Sequence, residues 1–62
     1  MLTQYEVAQR VTQFTDSTAD RYRQIAAIKS VLTGTGQQSL VTDRESIDGV
    51  LDILFDGFGF RA

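Results

Sequence analysis

The chain has 62 residues, a net charge of −2, and neither Cys nor His. A chain this short forms one domain at most and buries only about 60% of its unfolded surface. The composition excludes disulfides, and a structural zinc site is not expected without Cys or His ligands. We therefore expect one domain over residues 1–62 that gains stability by oligomerising, as a homodimer or with an obligate partner.

The sequence carries no signal for export or for membrane insertion. No basic N-terminal region precedes a long apolar run, as a signal peptide requires. No apolar run approaches the roughly 18 residues of a membrane span. The absence of Cys also fits a reducing compartment. We expect a cytoplasmic protein that makes no membrane contact.

The first helix is predicted over residues 3–14. Thr3 and Glu6 form the pattern of a capping box, in which a hydroxyl and an acid three residues later satisfy free backbone amides. Apolar residues then recur at helical spacing on one face, which predicts a buried stripe. The stripe consists of Val7, Ala8, Val11 and Phe14.

A break is predicted at residues 15–18, which read Thr-Asp-Ser-Thr. These residues are weak helix formers because their side chains compete for backbone hydrogen bonds. A single helix over residues 3–33 is the alternative, since a register with spacings of 4 and 3 runs through this segment, although it places Thr18 and Arg21 at positions that an apolar seam would fill.

The second helix is predicted over residues 18–33. Ser17 and Asp20 repeat the capping pattern at its start. Gly34 stands where a left-handed residue commonly ends a helix. A wide apolar arc follows the helix and consists of Tyr22, Ile25, Ala26, Ile28, Val31 and Leu32.

The third helix is predicted over residues 43–57, with Thr42 and Glu45 as its capping pattern. Its apolar face is sustained for three turns. The members of this face are Ile47, Val50, Leu51, Leu54, Phe55 and Phe58. Gly49 lies inside the helix, where it permits a neighbouring helix to approach closely.

Four carboxylates line the side of the third helix away from its apolar face: Glu45, Asp48, Asp52 and Asp56. Like charges at this spacing repel one another by a few tenths of a kcal/mol per pair. One interpretation is a docking face for a basic protein. The other is a solvated face that keeps the protein soluble, or a row of acids paired with Arg21, Arg23 and Lys29.

Three aromatic residues close the chain: Phe55, Phe58 and Phe60. Aromatic side chains commonly anchor protein interfaces. The same residues could instead fold back and complete the chain's own core. Both interpretations bury them, because exposed Phe pairs favour aggregation.

The basic residues Arg10, Arg21 and Arg23 suggest a helix-turn-helix as an alternative, in which they contact DNA. The acidic second half of the chain disfavours nucleic-acid binding, because it repels phosphate. Catalysis has no support, since no base is identifiable for any Ser and neither His nor Cys is present. We expect no enzyme activity, no cofactor and no metal.

The patterns together predict an all-α domain of three helices, a helix 1–helix 2 hairpin plus a C-terminal helix, dimeric through helix 3 or the arc of helix 2. The predicted function is that of a small regulatory or adaptor protein that binds a basic protein through its acid-flanked C-terminal helix. A phage-type acidic inhibitor that occupies a host nucleic-acid site is one alternative. A helix-turn-helix DNA-binding regulator is the other.

Overall fold

The computed structural model describes residues 2–62 and contains three α-helices and one 3₁₀ turn. The helices are α1, Gln4–Val11; α2, Arg21–Gly34; and α3, Arg44–Phe58; the 3₁₀ turn, Gln38–Leu40, lies between α2 and α3. No strand occurs within this described part of the chain. The predicted all-α fold of three helices is confirmed.

The first connection, residues 12–20, separates α1 from α2. The predicted break is therefore confirmed, and the alternative of one continuous helix is wrong. Helix α2 starts later than predicted, because Asp20 rather than Ser17 caps it. The Asp20 carboxylate accepts a hydrogen bond from the Arg23 backbone amide at 2.9 Å. Asp16 instead accepts two hydrogen bonds from Thr18, which fold the preceding residues into a turn.

Of the other two predicted caps, the one at the start of α1 is confirmed and the one at the start of α3 is wrong. At α1, the Thr3 hydroxyl accepts from the Glu6 backbone and the Glu6 carboxylate accepts from the Thr3 backbone, which is the predicted capping box. At α3, Asp43 replaces Thr42 as the cap, and its carboxylate accepts from the Glu45 backbone. A carboxylate accepts charge-assisted bonds from free amides, so it competes well with a neighbouring hydroxyl.

The left-handed residue after α2 lies two residues beyond its predicted position. Gly34 is the last helical residue, and Gly36 adopts the left-handed conformation with φ of 78°. The Gln37 amide then donates to the Leu32 carbonyl at 2.8 Å, and the Gly36 amide donates to the Thr33 carbonyl at 3.2 Å. This pair of bonds is a Schellman motif, which satisfies carbonyls that the helix leaves free.

The two glycines at this helix end are expected to respond oppositely to alanine. Gly34→Ala should stabilise the domain by about 0.5–1 kcal/mol, because the site is helical and open and Ala is the better helix former. Gly36→Ala should destabilise it by about 1–2 kcal/mol, because a side chain is strained at positive φ. Urea unfolding followed by circular dichroism measures both, and equal effects would contradict the assigned helix end.

The core lies where α1 packs against both α2 and α3. Its buried side chains come from all three helices and include Val7, Ala8, Val11, Ala27, Ile28, Val31, Leu32, Ile47, Val50, Leu51 and Leu54. Gly49 faces the Gln4 side chain, whose amide donates to the Ser46 carbonyl at 3.3 Å. A methyl group on Gly49 would overlap only the end of this exposed side chain, which can turn aside, so the close approach of helices predicted at Gly49 stays a prediction.

The C-terminal tail folds back onto the domain. Gly59 turns the chain in the left-handed conformation, with φ of 71°, and the Phe60 amide donates to the Leu54 carbonyl at 2.9 Å. Phe60 is 4% exposed and belongs to the core. The buried Gln24 side-chain amide donates to the Ala19 and Arg61 carbonyls, each at 2.8 Å, and so ties the tail to the loop before α2.

Candidate docking surface

The four acids predicted to form one docking row lie in two different surroundings. All four are exposed on α3. Asp48 lines a groove between α2 and α3 together with Arg21, Lys29 and Arg44. Cations therefore lie around Asp48, and the charge in that groove is mixed.

The second half of the row borders a groove without basic residues. Asp52 and Asp56 line this groove with Tyr5, Ile53 and Gly57, and its volume is about 300 Å³. We call these five residues the Tyr5 groove. Its walls combine two carboxylates with the ring of Tyr5, which is 56% exposed. This is the part of α3 that a basic and partly apolar partner would fit.

The Tyr5 groove has a defined shape because two aromatic rings support one wall. The rings of Tyr5 and Phe58 lie with their centroids 5.5 Å apart and tilted by 36°. Aromatic pairs at this separation attract one another beyond the area that they bury. Phe58 is half-buried in this contact, so it holds Tyr5 at the edge of α3.

Phe55 lies on the opposite edge of the acidic pair. Successive helical residues are about 100° apart, so Ile53 and Phe55 flank Asp52 and Asp56 on two sides. Phe55 is 53% exposed. The outward face of α3 therefore presents two carboxylates between two apolar edges.

The three aromatic residues of the predicted anchor have three different positions. Phe55 is exposed, Phe58 is half-buried against Tyr5, and Phe60 is buried in the core. Of the two alternatives for the tail, the structure places Phe60 with the chain's own core, so it is not available to a partner in this fold. Tyr5 takes its place in the surface, although it was not among the predicted docking residues.

The alternative of pairing between the acidic row and α2 is not found in the structure. Within residues 2–62, no Lys or Arg nitrogen lies within 4.0 Å of a carboxylate oxygen. Asp52 and Asp56 accordingly keep their charges free for solvent or for a partner.

The basic residues of the helix-turn-helix alternative lie on separate surfaces. Arg21 borders the groove between α2 and α3, whereas Arg10 and Arg23 border grooves around Phe14. The connection of residues 12–20 is also longer than the three or four residues that typically join the helices of that motif.

Phe14 is the residue that the sequence placed least well. It was predicted in the buried stripe of the first helix, and this prediction is wrong, because α1 ends at Val11 and Phe14 is 63% exposed. Tyr22 of the α2 arc is also exposed, at 82%. The polar residues Thr12 and Gln13, which follow Val11, were the signal in the sequence that the helix could end before Phe14.

One ionisable group near Phe14 is perturbed. The Thr18 hydroxyl and then the Thr18 backbone amide donate hydrogen bonds to Asp16, and they lower the pKa of its carboxyl from the ordinary value. A carboxylate that accepts hydrogen bonds is stabilised in its charged form. Asp16 therefore stays ionised while it orders the loop beside Phe14.

The described residues hold no cluster of three or more His, Cys, Asp or Glu side chains arranged for a metal ion. None of the helices in residues 2–62 combines the length and the apolar character needed to cross a bilayer. Comparison with protein-family models, curated proteins and solved structures finds no match to this chain.

Proposed function

We propose that the chain is a small non-enzymatic regulatory or adaptor protein that binds another protein through the outward face of α3. The observation that supports this proposal is the Tyr5 groove, where two unpaired carboxylates border the exposed ring of Tyr5, the half-buried Ile53 and no basic residue. Apolar and aromatic groups supply most binding energy at protein interfaces, and surrounding charges select the partner.

The charges in this surface carry a small cost that a basic partner would offset. Asp52 and Asp56 are one helical turn apart and repel each other by a few tenths of a kcal/mol. Asp56 also lies in the last turn of α3, where the helix dipole disfavours a negative charge. A cationic side chain docked between the two carboxylates would relieve both effects.

The partner fitted by this surface is a protein with a basic patch beside an apolar one. Its apolar side chains would contact Tyr5, Ile53 or Phe55, and its Lys or Arg residues would approach Asp52 and Asp56. A narrower version of the proposal is a phage-type acidic inhibitor. In that version, the basic patch is the nucleic-acid site of the partner, and the carboxylates occupy positions that phosphates otherwise take.

Matched double variants of α3 test this proposal. The wild type, Asp52→Asn/Asp56→Asn and Glu45→Gln/Asp48→Asn are immobilised and used to capture proteins from the native cell. The two variants remove the same charge from the same helix, so net charge alone cannot separate them. We expect capture of the partner to fall by at least about tenfold only for the Asp52/Asp56 variant.

Circular dichroism first establishes that both variants keep the wild-type helix content. Equal capture by all three proteins, or equal loss in both variants, would contradict a docking site at the Tyr5 groove. Equal binding of the partner to Phe55→Ala and to the wild type would show that Phe55 is not part of the docking surface. It would not affect the assignment of the Tyr5 groove.

A further inference from the structure

A second exposed aromatic lies in surroundings of opposite charge to the Tyr5 groove. Phe14 borders two adjoining grooves whose other walls come from α1, α2 and the loop between Val11 and Arg21. Arg10 lines one groove and Arg23 lines the other, and neither groove contains an acidic residue. We call Phe14, Arg10 and Arg23 the Phe14 face.

The rim of this face adds charges of both signs, and the surroundings of Phe14 as a whole keep a small positive excess. A third groove beside Phe14 is lined by Arg23 and Arg61 and by two acids. Both acids, Asp16 and Asp20, keep their negative charge while they accept hydrogen bonds within the chain, so three guanidinium groups and two carboxylates surround Phe14 and their net charge is +1. The guanidinium groups of the Phe14 face have no such hydrogen-bond partner among residues 2–62.

We propose that the occupant of the Phe14 face is the Tyr5 groove of a second copy of this chain. This inference rests on the proposed function, because it identifies one basic partner of the α3 surface as the chain itself. One surface presents two carboxylates beside Tyr5, and the other presents two guanidinium groups beside Phe14. Each surface carries the apolar contact and the charge that the other lacks.

The two surfaces share no residue, so one copy can use both at once. Contact between two different surfaces is heterologous, and it builds a ring or an open chain. The expected association is thus head-to-tail. It differs from the dimer predicted from the sequence, in which the two copies contact each other through helix 3 or through the apolar arc of helix 2. Exposed ion pairs contribute little individually, so the association should be reversible and dependent on salt.

Sedimentation of complementary variants tests the inference. The acid-reversed variant is Asp52→Arg/Asp56→Arg, and the base-reversed variant is Arg10→Glu/Arg23→Glu. The average mass of the wild type should rise beyond that of a dimer between about 10 µM and 1 mM. Each variant alone should remain monomeric, because like charges then face each other.

An equimolar mixture of the two variants should restore association, since each variant offers two surfaces of one sign and the two signs are opposite. The acid-reversed chain has two basic surfaces and the base-reversed chain has two acidic ones, so the mixture should associate through alternating copies. We expect both variants to be monomeric when measured alone and to associate when they are mixed. Glu45→Arg/Asp48→Arg is the matched control, and it should associate alone because its changes lie outside the Tyr5 groove.

Three outcomes would overturn the inference: a monomeric wild type at every concentration, a mixture that stays monomeric, or a control that behaves as the acid-reversed variant. A monomeric wild type that binds a single-stranded oligonucleotide through Arg10 and Arg23 would assign the Phe14 face to nucleic acid. Partner capture through Asp52 and Asp56 is measured separately, so the proposed function can hold while self-association fails.

Discussion

Phe60→Ala is expected to destabilise the domain by about 3–5 kcal/mol, as large-to-small substitutions of buried Phe do. The ring is 4% exposed and completes the core from the C-terminal tail. Its loss would also release the tail, which the Gln24 side chain and the Ser17 carbonyl hold at Arg61. Since a domain of this size has a small stability margin, we expect most of the variant to be unfolded at room temperature.

Phe14→Ala is the matched control, because it removes the same side chain from an exposed position. It should change the free energy of unfolding by no more than about 0.5 kcal/mol. Urea and thermal unfolding followed by circular dichroism measure both variants. A stable, fully helical Phe60→Ala protein would show that the tail does not contribute to the core and would return Phe60 to the candidate interface.

Leu54→Ala should destabilise the domain by about 2–5 kcal/mol. Leu54 is fully buried and lies at the centre of the α3 face that packs on the other two helices. A smaller side chain there leaves a cavity that the surrounding helices can close only in part. The midpoint of urea unfolding should fall sharply, or the transition should vanish if little folded protein remains.

The neighbouring Phe55→Ala separates this effect from a general sensitivity of α3. Phe55 follows Leu54 directly but is exposed, so its loss should cost about 0.5 kcal/mol or less. Similar losses for Leu54→Ala and Phe55→Ala would contradict the observed orientation of α3. They would also remove the reason for treating Phe55 as available to a partner.

The helices of this fold were predictable from periodicity, whereas their ends were less so. The α3 apolar spacing correctly predicted a buried face of Ile47, Val50, Leu51 and Leu54, but it wrongly included Phe55, which is exposed. The caps were harder because several polar residues compete at each start, and the backbone selects among them only when neighbouring turns form. Asp20 and Asp43 cap α2 and α3 in place of Ser17 and Thr42, because a carboxylate accepts charge-assisted hydrogen bonds from the free amides.

The candidate site was predictable only in part. Periodicity correctly placed Asp52 and Asp56 on the exposed side of α3. It could not show that Tyr5 would border them, or that Asp48 would lie near cations, because those neighbours come from other helices. Phe14 illustrates the same limit, since its exposure depends on where α1 ends rather than on the apolar spacing.

The salt dependence of association tests the central claim most directly. The measurement is the association rate of the captured partner with the wild type and with Asp52→Asn/Asp56→Asn, between about 50 and 500 mM salt. If Asp52 and Asp56 steer a basic partner, the association rate of the wild type should fall by roughly tenfold as the salt concentration rises across this range. The association rate of the variant should change little. Wild-type and variant rates that coincide at every salt concentration would contradict the assignment of the docking surface to the outward face of α3.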